Sequence, residues 1–181
     1  GESVVAIKND GTAWNIDRNG QAEQIVALSN VAMLGGHLSE HNEQNEHLAL
    51  IKDDGTLWLI RFDFWNPSSP NLEDAVQVSG LTTVASASVN WASLGDNSQG
   101  GSGYALLDDG SFYYFTYEFD QCSGGGGGGC SITGTPEATE LTAIGTVVDF
   151  SIFPNNYFQN WGLAVGSDGK VWALSDSPSG S

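Results

Sequence analysis

One feature constrains the fold of this chain more than any other: an Asp-Gly turn between two apolar runs occurs four times. The clearest copy is HLALIKDDGTLWLI, residues 47–60. An Asp-Gly pair in this setting is a strong hairpin signal, and the expected form is a two-residue type I′ turn with φ > 0 at both central residues. The other copies are VVAIKNDGTAWNI (4–16), GYALLDDGSFYYF (103–115) and WGLAVGSDGKVWAL (161–174). In each, an aromatic stands three residues after the turn glycine: Trp14, Trp58, Tyr113 and Trp172. The turn aspartates lie at 10, 54, 109 and 168, so the spacings are 44, 55 and 59 residues. Periods of this size mark repeat arrays and propellers.

Two further β-rich stretches precede each of the last three hairpins: EQIVALSNVAMLGG (23–36), DAVQVSGLTTVASAS (74–88) and EATELTAIGTVVDFSIF (137–153). Each reads as a strand, a short turn and a second strand. The expected fold is therefore all-β: a single β-propeller-like domain over residues 1–181, made of about four repeat units. The units fall at 4–16 (the hairpin alone), 23–60, 74–115 and 137–174, and the last three hold four strands each. Apolar runs such as LWLI, FYYF, VWAL and VAML suit sheets covered on both faces. A two-sheet sandwich is the alternative, and it would alternate more cleanly.

These residues carry a resemblance. The pairs IVALSNVAMLGGH with HLALIKDDGTLWLI, and VQVSGL–VASAS with YALLDDGSFYYF, look like the repeat of the regulator of chromosome condensation family. The Asp-Gly-x-x-Trp core and the Gly-Gly-His are its best parts, and the likeness spans roughly residues 4 to 174. It implies a β-propeller that binds proteins, akin to a secreted bacterial branch that includes a β-lactamase inhibitor. The chain departs from the pattern in lacking Trp-Gly after the hairpin, in its expanded loops, and in having too few repeats for seven blades.

Composition narrows the partners. Twenty-two acidic side chains face five basic ones, a formal charge of −17. Such a surface repels phosphate backbones and anionic lipid, which excludes nucleic acid and membrane surfaces as expected partners. No apolar run reaches the roughly 18 residues of a membrane helix. No signal peptide is recognisable, and GESVV without a Met reads as a mature or trimmed start.

The two cysteines, Cys122 and Cys130, flank SGGGGGG. A disulfide here would close a small loop, contributing roughly 2.5 kcal/mol by chain entropy, and would point to an extracellular or cell-surface setting. Two free thiols or a metal pair are the alternatives; without a nearby His, two thiols make an incomplete zinc site. All three histidines, His37, His41 and His47, lie among Glu40, Glu43 and Glu46. They could hold a divalent metal, though their spacing is not that of a metalloprotease, and a solvated polar loop is the plainer reading. The DDGT and NDGT turns lack the remaining ligands of an EF-hand, so they read as hairpin chemistry. Isolated calcium at Asp63, Glu73 and Asp74 stays open. No other cofactor is implied.

In an up-and-down repeat the Asp-Gly turns and the short SNV, GLTT and IGT turns share one face. The longer segments 39–46, 61–74, 90–103, 118–138 and 154–160 fall on the other, where binding function concentrates. Trp65, Trp91, Tyr157, Phe158 and Trp161 lie in or beside those loops, placed for sugar stacking or a protein hot spot, or else folded inward as staples. The GxGxxG match at 124–129 has no strand-to-helix context, and no nucleophile elbow or Walker motif occurs. The expected function is an extracellular, non-enzymatic module for protein–protein interaction or self-assembly. A lectin using the loop aromatics and a filament or surface-layer subunit completed by neighbouring chains are the alternatives.

Overall fold

The computed structural model describes residues 3–17, 19–25, 28–39, 45–63, 75–93, 99–119, 132–153 and 161–175. Their regular structure is strand throughout, apart from one 3-10 turn at Thr142–Ile144. The strands are β1 (Ser3–Ile7), β2 (Ala13–Asp17), β3 (Ala22–Gln24), β4 (Val31–Ser39), β5 (Asn45–Lys52), β6 (Leu57–Asp63), β7 (Val76–Gln77) and β8 (Val84–Ser93). They continue as β9 (Gln99–Leu107), β10 (Phe112–Phe119), β11 (Ile132–Thr133), β12 (Ala138–Glu140), β13 (Val147–Phe153), β14 (Trp161–Gly166) and β15 (Val171–Ser175).

Four antiparallel sheets follow one another along the chain: β1–β3, β4–β7, β8–β12 and β13–β15. Each sheet holds one Asp-Gly hairpin, with strands on both sides of it in the second and third sheets. The repeat read in the sequence and the sheet are offset by one strand. The first stretch of each sequence unit pairs with the hairpin before it: β3 with β2, β7 with β6, β12 with β10. Only the second stretch, β4, β8 or β13, pairs with the hairpin that follows. The offset ties each unit to its predecessor through a ladder of backbone bonds.

The turns correct the expected type. Gly11, Gly55, Gly110 and Gly169 have φ of 77°, 76°, 85° and 80°, while the aspartates before them do not take positive φ. The hydrogen bonds Gly11 N to Lys8 O and Lys8 N to Thr12 O enclose three residues, with the glycine left-handed at the last. This is the three-residue loop with a glycine bulge rather than the two-residue type I′ turn. The side chain is the cause: Asp10 Oδ1 accepts from Thr12 N at 3.0 Å, which fixes the aspartate in the turn and leaves the left-handed step to glycine alone.

Three apolar cores lie between successive sheets. Val5, Ile7, Ala13, Ile25 and Leu28 of the first sheet and its outgoing segment meet Val31, Leu48, Leu50 and Ile60 of the second. Ala49, Ile51, Leu57, Leu59, Val78 and Leu81 meet Ala87, Val89, Ala105, Leu107, Phe115 and Tyr117 of the third. Tyr104, Leu106, Phe112 and Tyr114 meet Val147, Ala164, Trp172 and Leu174 of the fourth. The second and third sheets are thus apolar on both faces, which is why LWLI and FYYF do not alternate. The glycine-rich stretch expected as loop at 100–103 is strand instead; the rings of Tyr117 and Phe115 lie where side chains at Gly101 and Gly103 would stand.

Neighbouring sheets are also joined by main-chain bonds at the turns. Val31 N, Val84 N and Val147 N, at the start of β4, β8 and β13, donate to the carbonyls of Gly11, Gly55 and Gly110 at 3.1, 2.9 and 2.8 Å. In return, Asp53 N, Asp108 N and Ser167 N of each later turn donate to Asn30 O, Thr83 O and Thr146 O. The expectation that the Asp-Gly and short turns share one side is met, and the two sets bond to each other. A Cβ at Gly55 would stand 2.7 Å from Thr83 N, whereas one at Gly169 would meet none of the described residues within 4 Å. Both positions have positive φ, which costs a non-glycine residue roughly 1–2 kcal/mol. Gly55→Ala is therefore expected to lower stability in urea melts clearly more than Gly169→Ala; equal losses would mean that the junction carries no steric constraint.

Candidate functional site

Each turn aspartate organises the residues after it. Asp10 Oδ1 also accepts from the Thr12 hydroxyl at 2.6 Å, and that hydroxyl accepts from Trp14 Nε1 at 2.9 Å. Asp54, Thr56 and Trp58 repeat the relay at 2.6 and 2.9 Å. Lys8 Nζ and Lys52 Nζ sit 3.6 and 4.0 Å from the ring centroids of Trp14 and Trp58, adding a cation–π contact. The side-chain bonds from Thr12 and Thr56 hold Asp10 and Asp54 below the usual aspartate pKa. Their contribution is complete above the unfolded-state value, about 3.9, and is lost as pH falls through the lower folded value.

The fourth copy departs from the other three. Lys170 replaces the hydroxyl residue, donating through N and Nζ to Asp168 at 3.0 and 2.6 Å. Lys170 offers the indole no hydroxyl, and among the described residues the buried Trp172 Nε1 has no partner. Thr56→Val is expected to cost about 1–2 kcal/mol by orphaning Trp58 in the same way. Lys170→Thr is expected to raise the thermal midpoint by giving Trp172 an acceptor, and an unchanged or lower midpoint for that variant would contradict the relay.

The last sheet is also where the repeat is left uncovered. Its positions Leu163, Val165, Val171 and Ala173 correspond to Ala49, Ile51, Leu57 and Leu59 of the second sheet and to Tyr104, Leu106, Phe112 and Tyr114 of the third. Those eight are buried. Val171, by contrast, is 62% exposed, where Ala13, Leu57 and Phe112 at the same repeat position are 0–1% exposed. Leu163, Val148 and Phe153 of the same sheet are 42%, 58% and 52% exposed. The outer edge of β15 has no paired strand among the described residues, while β2, β6 and β10 each have one. Gly169 O, unlike the other three turn carbonyls, receives no backbone N–H among them.

The residues singled out from the sequence lie elsewhere. Trp65, Tyr157, Phe158, His41, Cys122 and Cys130 lie outside the described residues. Trp91 belongs to β8, paired with Gly101, and Trp161 opens β14, paired with Phe153 and Ser175, so both sit in ladders rather than loops. His37 is paired with Leu48 and His47 with Leu38, so these two are not directly opposite each other across the ladder. Among the described residues no three His, Cys, Asp or Glu side chains gather to hold a metal. Sequence reading missed the strip Leu163–Val171, because nothing in its apolar pattern separates it from the buried copies Ala49–Leu57 and Tyr104–Phe112.

No protein-family model matches this chain, and no curated protein matches it either. Solved structures do. The WD40 domain of SCAP from fission yeast is similar over 98% of this chain and 37% of that chain, with a TM-score of 0.58 and 14% identity. The complex of the fission yeast SREBP–SCAP binding domains is similar over 97% and 46%, with a TM-score of 0.49 and 12% identity. The fold is that of a β-propeller. At this identity the likeness concerns the fold alone, and the chain spans little more than a third of the length of the WD40 chain it matches. The expected all-β propeller array of blade-like sheets is thereby met.

Proposed function

We propose that this chain is a non-enzymatic propeller module that binds another protein, and that it does so through the uncovered face and edge of its last sheet. The observation that carries the reading is Val171, exposed at a position buried in the three other repeats, with Leu163, Val148 and Phe153 exposed on the same sheet. Exposed apolar positions on one sheet, with a strand edge that no described residue pairs, are what strand-mediated recognition uses. The −17 charge argues for protein over nucleic acid. Asp-Gly-x-x-Trp and Gly-Gly-His support a place among chromosome-condensation-type propellers, and the Cys122–Cys130 spacing supports an extracellular setting for the module.

The test compares the immobilised protein with its Leu163→Asp/Val171→Asp variant as bait for native extract, followed by reconstitution with the purified partner. The expected result is a protein that binds the wild type and is lost from the variant at least tenfold, the scale of about 1.4 kcal/mol. Identical binding to both baits, or retention of glycan alone, would contradict the reading.

A further inference from the structure

We propose that Asn19 is a self-modification site, where attack by Gly20 and then by water converts the side-chain amide into a carboxylate. The inference is independent of the interaction face and comes from comparing loops of one form within the chain.

The loop in question joins β2 to β3. Asp17 N donates to Gln21 O and Gly20 N donates to Asp17 O, both at 2.9 Å, and Gly20 has a φ of 78°. These are the bonds and the left-handed glycine of the Asp-Gly loops, so Asn19–Gly20 stands where Asp10–Gly11 stands in the first of them. In any such step the glycine nitrogen can close a five-membered ring on the preceding side-chain carbonyl carbon, and no Cβ hinders its approach. Ring closure then depends on whether side chain and backbone are free to reach that geometry.

In the Asp-Gly loops both are held. Asp10, Asp54 and Asp109 accept through Oδ1 from the N–H two residues on, at 3.0, 3.0 and 2.9 Å. Asp168 accepts from both Lys170 N and Lys170 Nζ. Gly11, Gly55 and Gly110 are also fixed from the far side, because their carbonyls take the valine N–H of the next sheet. At Asn19 the cap has moved to a different residue. Asp17 Oδ1 accepts from Asn19 N at 2.9 Å and from Gln21 N at 2.8 Å, and Gln21 N is the group that would otherwise pin Asn19. The Asn19 side chain keeps one bond, Nδ2 to Asp17 Oδ2 at 3.1 Å. Gly20 O receives no backbone N–H among the described residues. Asn19 and Gly20 are both exposed, and a Cβ at Gly20 would meet none of the described residues within 4 Å.

The reaction balances with water as the sole co-reactant. Gly20 N loses its proton to solvent and bonds to Asn19 Cγ. The Cγ–Nδ2 bond breaks, ammonia leaves, and a succinimide remains. Water then opens either ring carbonyl, leaving aspartate or isoaspartate at position 19. Either product sets a carboxylate beside Asp17, where the amide had been a donor, and neighbouring like charges repel. The turn that aligns Glu23 with Asn15 and Gln24 with Trp14 is loosened as a result.

The experiment holds the intact 181-residue protein in mildly alkaline buffer, with and without urea, and samples it over time. Cleavage after glutamate releases residues 3–23, which carry both Asp10–Gly11 and Asn19–Gly20. Fragment masses locate the change from amide to acid, and labelling by an isoaspartyl methyltransferase reads the isoaspartate at each step. The folded protein is expected to gain acid at position 19, and Asn19→Gln, whose longer side chain would need a larger ring, is expected not to. That change is at an exposed position, so circular dichroism should be unaltered. Urea should speed isoaspartate formation at Asp10, Asp54 and Asp109 about tenfold or more, because it releases their pins, and should change the rate at position 19 by less than about threefold. No gain at position 19 in the folded protein overturns the proposal. So does a gain that persists in Asn19→Gln, or an acceleration by urea at position 19 that equals the one at the aspartates.

Discussion

The structure depends on a single backbone bond made three times: a turn glycine carbonyl in one sheet accepts the N–H of the valine that opens the next. Gly11 with Val31, Gly55 with Val84 and Gly110 with Val147 lie at 2.8–3.1 Å. A carbonyl at the tip of a hairpin would ordinarily face water. Here glycine's positive φ turns it toward the following sheet, and the absence of a Cβ lets the next turn approach. The Asp-Gly pair therefore does two things. Aspartate caps the turn internally through Thr12, Thr56, Ser111 or the Lys170 amide, and glycine addresses the neighbour.

From this junction the packing follows. Fixing the valine at the start of β4, β8 and β13 sets the register of a strand that lies between two hairpins. The apolar faces of successive sheets then meet: Leu50 and Ala13 share the first core, Leu59 and Ala105 the second, and Phe112 and Val147 the third. The segment that leads into each junction pairs backward with the previous hairpin, so each core is closed by residues from two sequence units. A perturbation at one turn is thus felt in two sheets, which is the behaviour of nearest-neighbour repeat structures.

Much of the architecture was legible in the sequence because hairpin chemistry is local. Asp-Gly, the aromatic three residues on and the strand-turn-strand stretches need only a few neighbours to define them. Three things were not legible. The turn type depended on whether Asp10 and its counterparts would cap their own loop, a side-chain choice that Asp-Gly alone does not encode. The pairing of Gln24 with Trp14 rather than with the strand after it is a tertiary decision, since both partners are apolar strands at similar distance along the chain. Gly100–Gly103 read as loop because glycine is a poor strand former, and it became strand because the Phe115 and Tyr117 rings needed that space. The candidate site was hidden for a related reason. Val171 looks like any core valine in sequence, and only comparison with Ala13, Leu57 and Phe112 in three dimensions reveals its exposure.

The central claim is that the turn-to-valine bonds hold successive sheets together, and amide hydrogen exchange at single-residue resolution tests it most directly. The account predicts that the amides of Val31, Val84 and Val147 exchange only through the global opening of the sheets they join, as slowly as the core of β5 and β9. It also predicts that the Asn9 amide, which has no incoming carbonyl among the described residues, exchanges far faster than its counterparts Asp53, Asp108 and Ser167. Valine amides that exchange as fast as Asn9 would contradict the account, because the sheets would then be held by side-chain packing alone.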